Sequence, residues 1–167
     1  MTFVHNKILA LPPEVTLNQF GLQNRVRYNN ASPFPHIVLD NFFDSQFLSK
    51  CADEFPNLSL LDGVIRHSGR TDEKLASPRG TALQPPSISS LFSFLNSSDF
   101  IDFLQALTSI KESLIPDPHF VGGGLHQIRS GGFLKIHADF CRHPETNLDR
   151  RLNLLIYLNK NTQMLLI

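Results

Sequence analysis

The strongest constraint on the fold lies in the C-terminal third, where short apolar segments follow one another with no helical stretch between them. Gly122-Gly123-Gly124 leads into Leu125-His126-Gln127-Ile128-Arg129, and Ser130-Gly131-Gly132 turns into Phe133-Leu134-Lys135-Ile136-His137. After a polar loop comes Leu152-Asn153-Leu154-Leu155-Ile156-Tyr157-Leu158. Parallel neighbours need a crossover of about a dozen residues or more, usually a helix. Strands joined by glycine or polar turns therefore pair antiparallel, in a sheet or a barrel rather than in βαβ units.

Upstream, the apolar spacing becomes helical. Asp44 or Ser45 can cap a helix on which Phe47, Leu48, Cys51 and Phe55 share a face, and Pro56 ends it. Ser87 to Leu95 and Ser98 to Ile110 also read as helices. In the second, Ser98 is a cap, and Phe100, Phe103, Leu104, Leu107 and Ile110 form a stripe whose plain reading is core packing. Pro116 and Pro118 close this half. His36-Ile37-Val38-Leu39-Asp40 reads as a strand approached through Ser32-Pro33-Phe34-Pro35, because proline keeps the preceding residue extended. Residues 1–31, with Pro12-Pro13 and a polar stretch from Asn24 to Asn30, read as a loosely held lead-in. Asp62 to Thr81 is polar and without a clear period, which predicts a long loop or lid-like excursion.

With 167 residues, 41% of them apolar and fourteen of them Phe, the chain can bury one sizeable core. Fifteen basic residues balance fifteen acidic ones, which argues against a nucleic-acid partner held by many phosphate contacts. Cys51 and Cys141 are too few for a disulfide framework, so a reducing, cytoplasmic setting is expected. No apolar run approaches the roughly 18–20 residues that span a bilayer, and residues 1–11 lack a cleavage-site pattern, so no membrane partner is expected.

His137-Ala138-Asp139 ends one of the predicted strands. Alternate strand residues share a face, so the imidazole and the carboxylate project together. Together they are two of the three ligands of the facial triad that holds Fe(II) and leaves positions open for oxygen and a cosubstrate. In a chain with seven histidines the triplet alone is weak. His126 reads equally as an inward residue near a site or a hydrogen-bonded core histidine. His143, before Pro144, reads as a solvated loop residue and an awkward third ligand. Arg150-Arg151 has a guanidinium pair suited to a carboxylate, or is simply a charged strand entrance. Gly122 to Gly124 lacks the Lys-Ser/Thr and the helix of a phosphate loop and reads as a turn.

Taken together, three stretches resemble the Fe(II)- and 2-oxoglutarate-dependent dioxygenases, in their prolyl-4-hydroxylase-like branch. They are Gly124 to Gln127, Gly131 to Phe140 and Arg150 to Asn159, the last ending in Tyr157-Leu158-Asn159. Pro33 to Phe43 also resembles the opening strand of that branch, so the likeness spans about residues 33–161. It implies a mainly β fold, a double-stranded β-helix (jelly roll) packed against N-terminal helices. It implies Fe(II), 2-oxoglutarate and O2 as reactants, succinate and CO2 as products, and ascorbate as an accessory reductant. His137 and Asp139 match the first two iron ligands, and Gln127, Asn153 and Tyr157 fall where residues line the cosubstrate pocket.

The pattern also departs from that branch. Phe133 stands where a tyrosine is common, and Asn153 where threonine is common. Beyond Asn161 the distal histidine and the basic residue that pairs with the far carboxylate of 2-oxoglutarate do not follow. The expected organisation is a lead-in over 1–31 and an oxygenase-like domain over 32–167 that lacks its C-terminal strands. Such a chain is expected to be inactive alone and to self-associate through an open barrel edge. The alternatives are a non-catalytic remnant or interaction module, and a cupin-like metal-binding protein that recruits His126 or His143. The substrate, a small molecule or a peptide, is not legible.

Overall fold

Helix formation begins earlier than the polar N-terminal segment suggests. The structure, a computed structural model, describes residues 7–78, 84–117, 120–121, 123–159 and 162–167. Thr16 caps α1 (Leu17–Asn29) through a reciprocal box: its Oγ1 accepts from the Gln19 N–H at 3.1 Å, and Gln19 Oε1 accepts from the Thr16 N–H at 2.9 Å. The segment read as a loose lead-in thus carries a helix of 13 residues. It has no marked apolar stripe; Leu17, Gly21 and Tyr28 are the buried positions. Gly21 lies where α1 meets α4 (Ser98–Thr108), and a Cβ there would come within 2.8 Å of the Phe103 carbonyl oxygen. Arg25 Nε donates to the Ala106 carbonyl at 2.7 Å across the same helix pair.

α2 (Ser45–Asp53) is capped by Asp44, which accepts from the Phe47 N–H at 2.8 Å. α3 (Pro86–Leu95) begins on proline, while Ser97, rather than Ser98, caps α4. Glu54 Oε2 takes both the Ser87 N–H at 3.0 Å and the Ser87 hydroxyl at 2.6 Å, satisfying donors in the first turn of α3. Between these helices lie fully buried phenylalanines. Phe42 stacks on Phe103 at 5.3 Å, and Phe100 lies 5.4 Å from Phe103 and 5.2 Å from Phe94.

The strands form two sheets, both antiparallel: β1 (Val38–Asp40), β6 (Leu155–Asn159) and β7 (Thr162–Leu166) in the order β1-β7-β6, and β2 (Ile65–Ser68), β3 (Asp72–Ala76), β4 (His126–Gln127) and β5 (Phe133–Leu134) centred on β3. Helix amounts to 32% and strand to 19%, so the architecture is helices plus antiparallel sheets, and no barrel closes among the described residues. The expectation of a mainly β chain gives way to this mixture, because the helices hold most of the aromatic core.

Two further expectations change. Residues 62–78, read as a loop, are mostly the β2–β3 hairpin, its turn closed by the Gly69 N–H donating to the Asp72 carbonyl at 2.8 Å; residues 79–81 lie outside the described residues. The apolar tail, read as leaving the pattern, is β7 at the centre of its sheet. Ile37 and Ile167 exchange backbone hydrogen bonds of 3.0 Å, and Leu165 is fully buried. An alternating apolar segment between two strands gains both backbone pairing and burial, which a frayed tail would forgo.

Contacts divide the chain into two units. One comprises Met1–Phe55, Pro85–Pro116 and Leu152–Ile167, with all four helices and the β1-β7-β6 sheet; the other comprises Pro56–Gln84 and Asp117–Arg151, with the β3-centred sheet.

Candidate functional site

His137 and Asp139 belong to the second unit, and their position follows from how β4 and β5 meet β3. Both pair with the same edge of β3 in the same direction: Ala76 opposite His126, Leu75 opposite Gln127, Glu73 opposite Phe133 and Asp72 opposite Leu134. They are one strand interrupted by an excursion over 128–132. The chain rejoins β3 at Gly132, where a Cβ would sit 2.6 Å from the Glu73 carbonyl oxygen, so only glycine fits. The predicted strand ends at Leu134 rather than reaching His137. The Lys135 N–H still donates to the Thr71 carbonyl at 2.8 Å, and irregular backbone follows. The two side chains therefore meet by local folding, not by strand alternation.

His137 Nδ1 lies 2.7 Å from the Lys135 carbonyl, which only accepts, so Nδ1 carries a proton. In the neutral ring Nε2 is then a lone pair, and it faces Asp139 Oδ1 at 3.4 Å. A lone pair and a carboxylate oxygen face each other favourably only with positive charge between or beside them. Arg150 supplies some of it, its Nη2 lying 3.2 Å from Asp139 Oδ2 with the guanidinium 4.8 Å from the Phe140 ring. A histidine whose far nitrogen is fixed on a backbone carbonyl is also the arrangement that orients metal-binding imidazoles.

The loop from 141 to 150 returns Arg150 to Asp139. The Arg150 N–H donates to the Cys141 carbonyl at 2.8 Å, His143 N–H to the Leu148 carbonyl at 2.8 Å, and Arg142 pairs with Asp149 at 3.3 Å. His143 organises this loop instead of standing in solvent: Nδ1 accepts from the Glu145 and Thr146 N–H groups at 3.2 and 3.1 Å, and Nε2 lies 3.7 Å from Asp117 Oδ2. Its Nδ1 is committed to the loop backbone, and it belongs to no group of three metal-ligating side chains among the described residues.

His126 sits on the β3 face that also carries Asp72, Lys74 and His67, since Ala76 and His126 are paired, as are Lys74 and His67. Its pKa is held below the usual imidazole range, first by desolvation, then by Lys74 and His67, with Asp139 opposing. Asp72 Oδ2 lies between two basic side chains, 3.3 Å from His67 Nδ1 and 3.8 Å from Lys74 Nζ. Sequence reading missed this group because the 62–81 stretch showed no period; two short polar strands around Gly69-Arg70 were the available signal. Gln127 lies on the opposite face, beside Leu75, and its Oε1 is buried with no hydrogen-bond partner among the described residues. Asn153 and Tyr157 belong to the first unit, exposed just before β6 and on it.

Among the described residues no group of three or more histidine, cysteine, aspartate or glutamate side chains is placed to hold a metal ion. His137 and Asp139 therefore stand as an adjacent pair with no third such side chain grouped with them among the described residues. Comparison with protein-family models, with curated proteins and with solved structures returned no match. No helix among the described residues is long and apolar enough to cross a membrane.

Proposed function

We propose that this chain is an Fe(II)- and 2-oxoglutarate-dependent dioxygenase by lineage, of the jelly-roll, prolyl-4-hydroxylase-like kind, and that it retains two iron ligands without turning over by itself. The observation that carries the reading is the His137–Asp139 pair, with Nδ1 of the ring fixed on the Lys135 carbonyl and Nε2 turned to the carboxylate at 3.4 Å. A divalent cation would be held between these two atoms, and the Arg150 contact would orient the carboxylate. Bound Fe(II) would supply oxygen activation. This chain's own residues hold the imidazole tautomer and aim the carboxylate. Two ligands bind more weakly than three and fix no facial geometry. The reading carries 2-oxoglutarate as cosubstrate, a small molecule or peptide as substrate and ascorbate as reductant.

Calorimetric titration of the full chain with Co(II), a stand-in for Fe(II), tests the ligand pair. Weak binding that disappears in His137→Ala and in Asp139→Ala is expected; binding indifferent to both substitutions would refute it. Succinate formation from 2-oxoglutarate with added Fe(II) tests the second half. None is expected, and sustained turnover would refute the claim of inactivity. A second reading, a non-catalytic interaction module, is favoured by the Arg150–Asp139 ion pair, which satisfies the carboxylate without metal. It predicts no metal binding but loss of loop order in Arg150→Ala.

A further inference from the structure

The two outer strands of the β1-β7-β6 sheet are treated differently. Ile37 and Ile167 exchange hydrogen bonds, so the N–H and C=O of Val38 point away from β7, and Arg27 Nη2 covers the Val38 carbonyl at 3.0 Å. On the other side, the register pairs Asn159 with Thr162, Tyr157 with Met164 and Leu155 with Leu166. Because the odd-numbered residues of β7 turn their backbone groups to β1, the even ones serve β6. The groups of Leu155, Tyr157 and Asn159 are therefore used inward, and those of Ile156 and Leu158 point outward, with no backbone partner among the described residues.

Natural edge strands are usually blunted by charge, proline or a bulge. β6 reads Leu-Ile-Tyr-Leu-Asn, five residues with none of these, and it exposes Leu155 and Tyr157 at 41% each on one face. The strand is also complementary to itself. An antiparallel copy related by a two-fold axis at Ile156 sets Ile156 against Ile156 as a hydrogen-bonded pair. It also sets Leu155 against Tyr157 twice, each an aliphatic–aromatic cross-strand pair on the exposed face. A two-fold axis at Tyr157 would instead leave Leu155 opposite Asn159.

We propose that a second copy of this chain adds to the free edge of β6 about a two-fold axis at Ile156, giving an isologous dimer with one sheet of six strands. The proposal uses neither His137 nor Asp139, so it is tested independently of the metal-ligand pair. A contact of one short strand per protomer is small, which fits a weak, concentration-dependent dimer rather than an obligate one.

Sedimentation velocity on the full chain across a concentration series tests it. A monomer–dimer equilibrium is expected, and each of Leu155→Lys and Tyr157→Glu alone raises the dissociation constant roughly tenfold, because the symmetry repeats the lost pair. The double substitution Leu155→Lys/Tyr157→Glu restores dimerisation, since it sets lysine across from glutamate in both pairs. Both sites are exposed, and unchanged circular dichroism confirms that the variants fold. A monomer at every concentration would overturn the proposal and leave the edge to a different chain. A dimer insensitive to the single substitutions, or not rescued by the double one, would overturn the β6 interface and its register.

Discussion

The helical unit and the unit that carries His137 put their side chains to opposite uses. In the first, Phe42, Phe100 and Phe103 are essentially without solvent contact and touch one another at ring distances of 5.3–6.4 Å. In the second, residues 128–142 are mostly exposed, Ile136 completely so, and order comes from ion pairs and backbone hydrogen bonds around 135–150. Burial of a ring contributes about 1.5–3 kcal/mol, whereas an exposed ion pair contributes about 0–1 kcal/mol. Stability therefore resides mainly in the first unit, and the His137–Asp139 pair lies on a lightly stabilised segment.

Substitutions in the two units should separate accordingly. Phe103→Ala empties a site packed against three other rings and should cost about 3–5 kcal/mol in denaturant unfolding. A loss under about 1 kcal/mol would mean the ring cluster is not the core. Gly21→Val should cost about 1–3 kcal/mol, because the new side chain meets the Phe103 carbonyl and the Leu107 N–H, backbone atoms that cannot rotate away. Ser97→Ala removes the oxygen that accepts from the Phe100 N–H at 3.3 Å and should lower stability by about 1 kcal/mol. Arg150→Ala should change stability by less than about 1 kcal/mol. Its effect should fall on the loop, seen as faster amide exchange over 141–150; a large stability loss would place it with the core.

The smallest effect is a pH dependence. The two Ser87 hydrogen bonds hold the Glu54 carboxyl below its ordinary pKa. A depressed carboxylate stabilises the fold fully above the unfolded-state pKa, and that stability is lost as pH falls through the lowered folded value. Thermal unfolding of Glu54→Gln, measured over the carboxylate range, should show a flatter pH profile than the unsubstituted chain. Identical profiles would remove the Ser87 contact as the cause.

How far the fold was legible depended on which force dominates each element. α2 and α4 announced themselves through apolar stripes, because burial selects residues at helical spacing. α1 did not: its apolar residues form no marked stripe, and it is held by the Thr16–Gln19 box and by Gly21 close to α4, which a single sequence reveals only as Thr-x-x-Gln. β2 and β3 were hidden because most of their side chains are polar, so alternation in hydropathy disappears. At the site, His137 and Asp139 were legible as a pair, but the reason they meet was not strand geometry. The strand stops at Leu134, and Lys135, Arg150 and the 141–150 loop hold the two together. Those contacts depend on how the 135–150 loop folds back on itself, which spacing in sequence does not encode. His143 looked like a free loop residue because its partners, the Glu145 and Thr146 N–H groups and Asp117, are backbone or distant.

The central claim, that His137 and Asp139 form a metal-ligand pair, is tested most directly by adding substoichiometric Mn(II) to isotopically labelled chain and recording amide signals by NMR. The account predicts that signals of residues 135–139 broaden first and that His137→Ala abolishes the broadening. Broadening that begins elsewhere, or survives in His137→Ala, would contradict it.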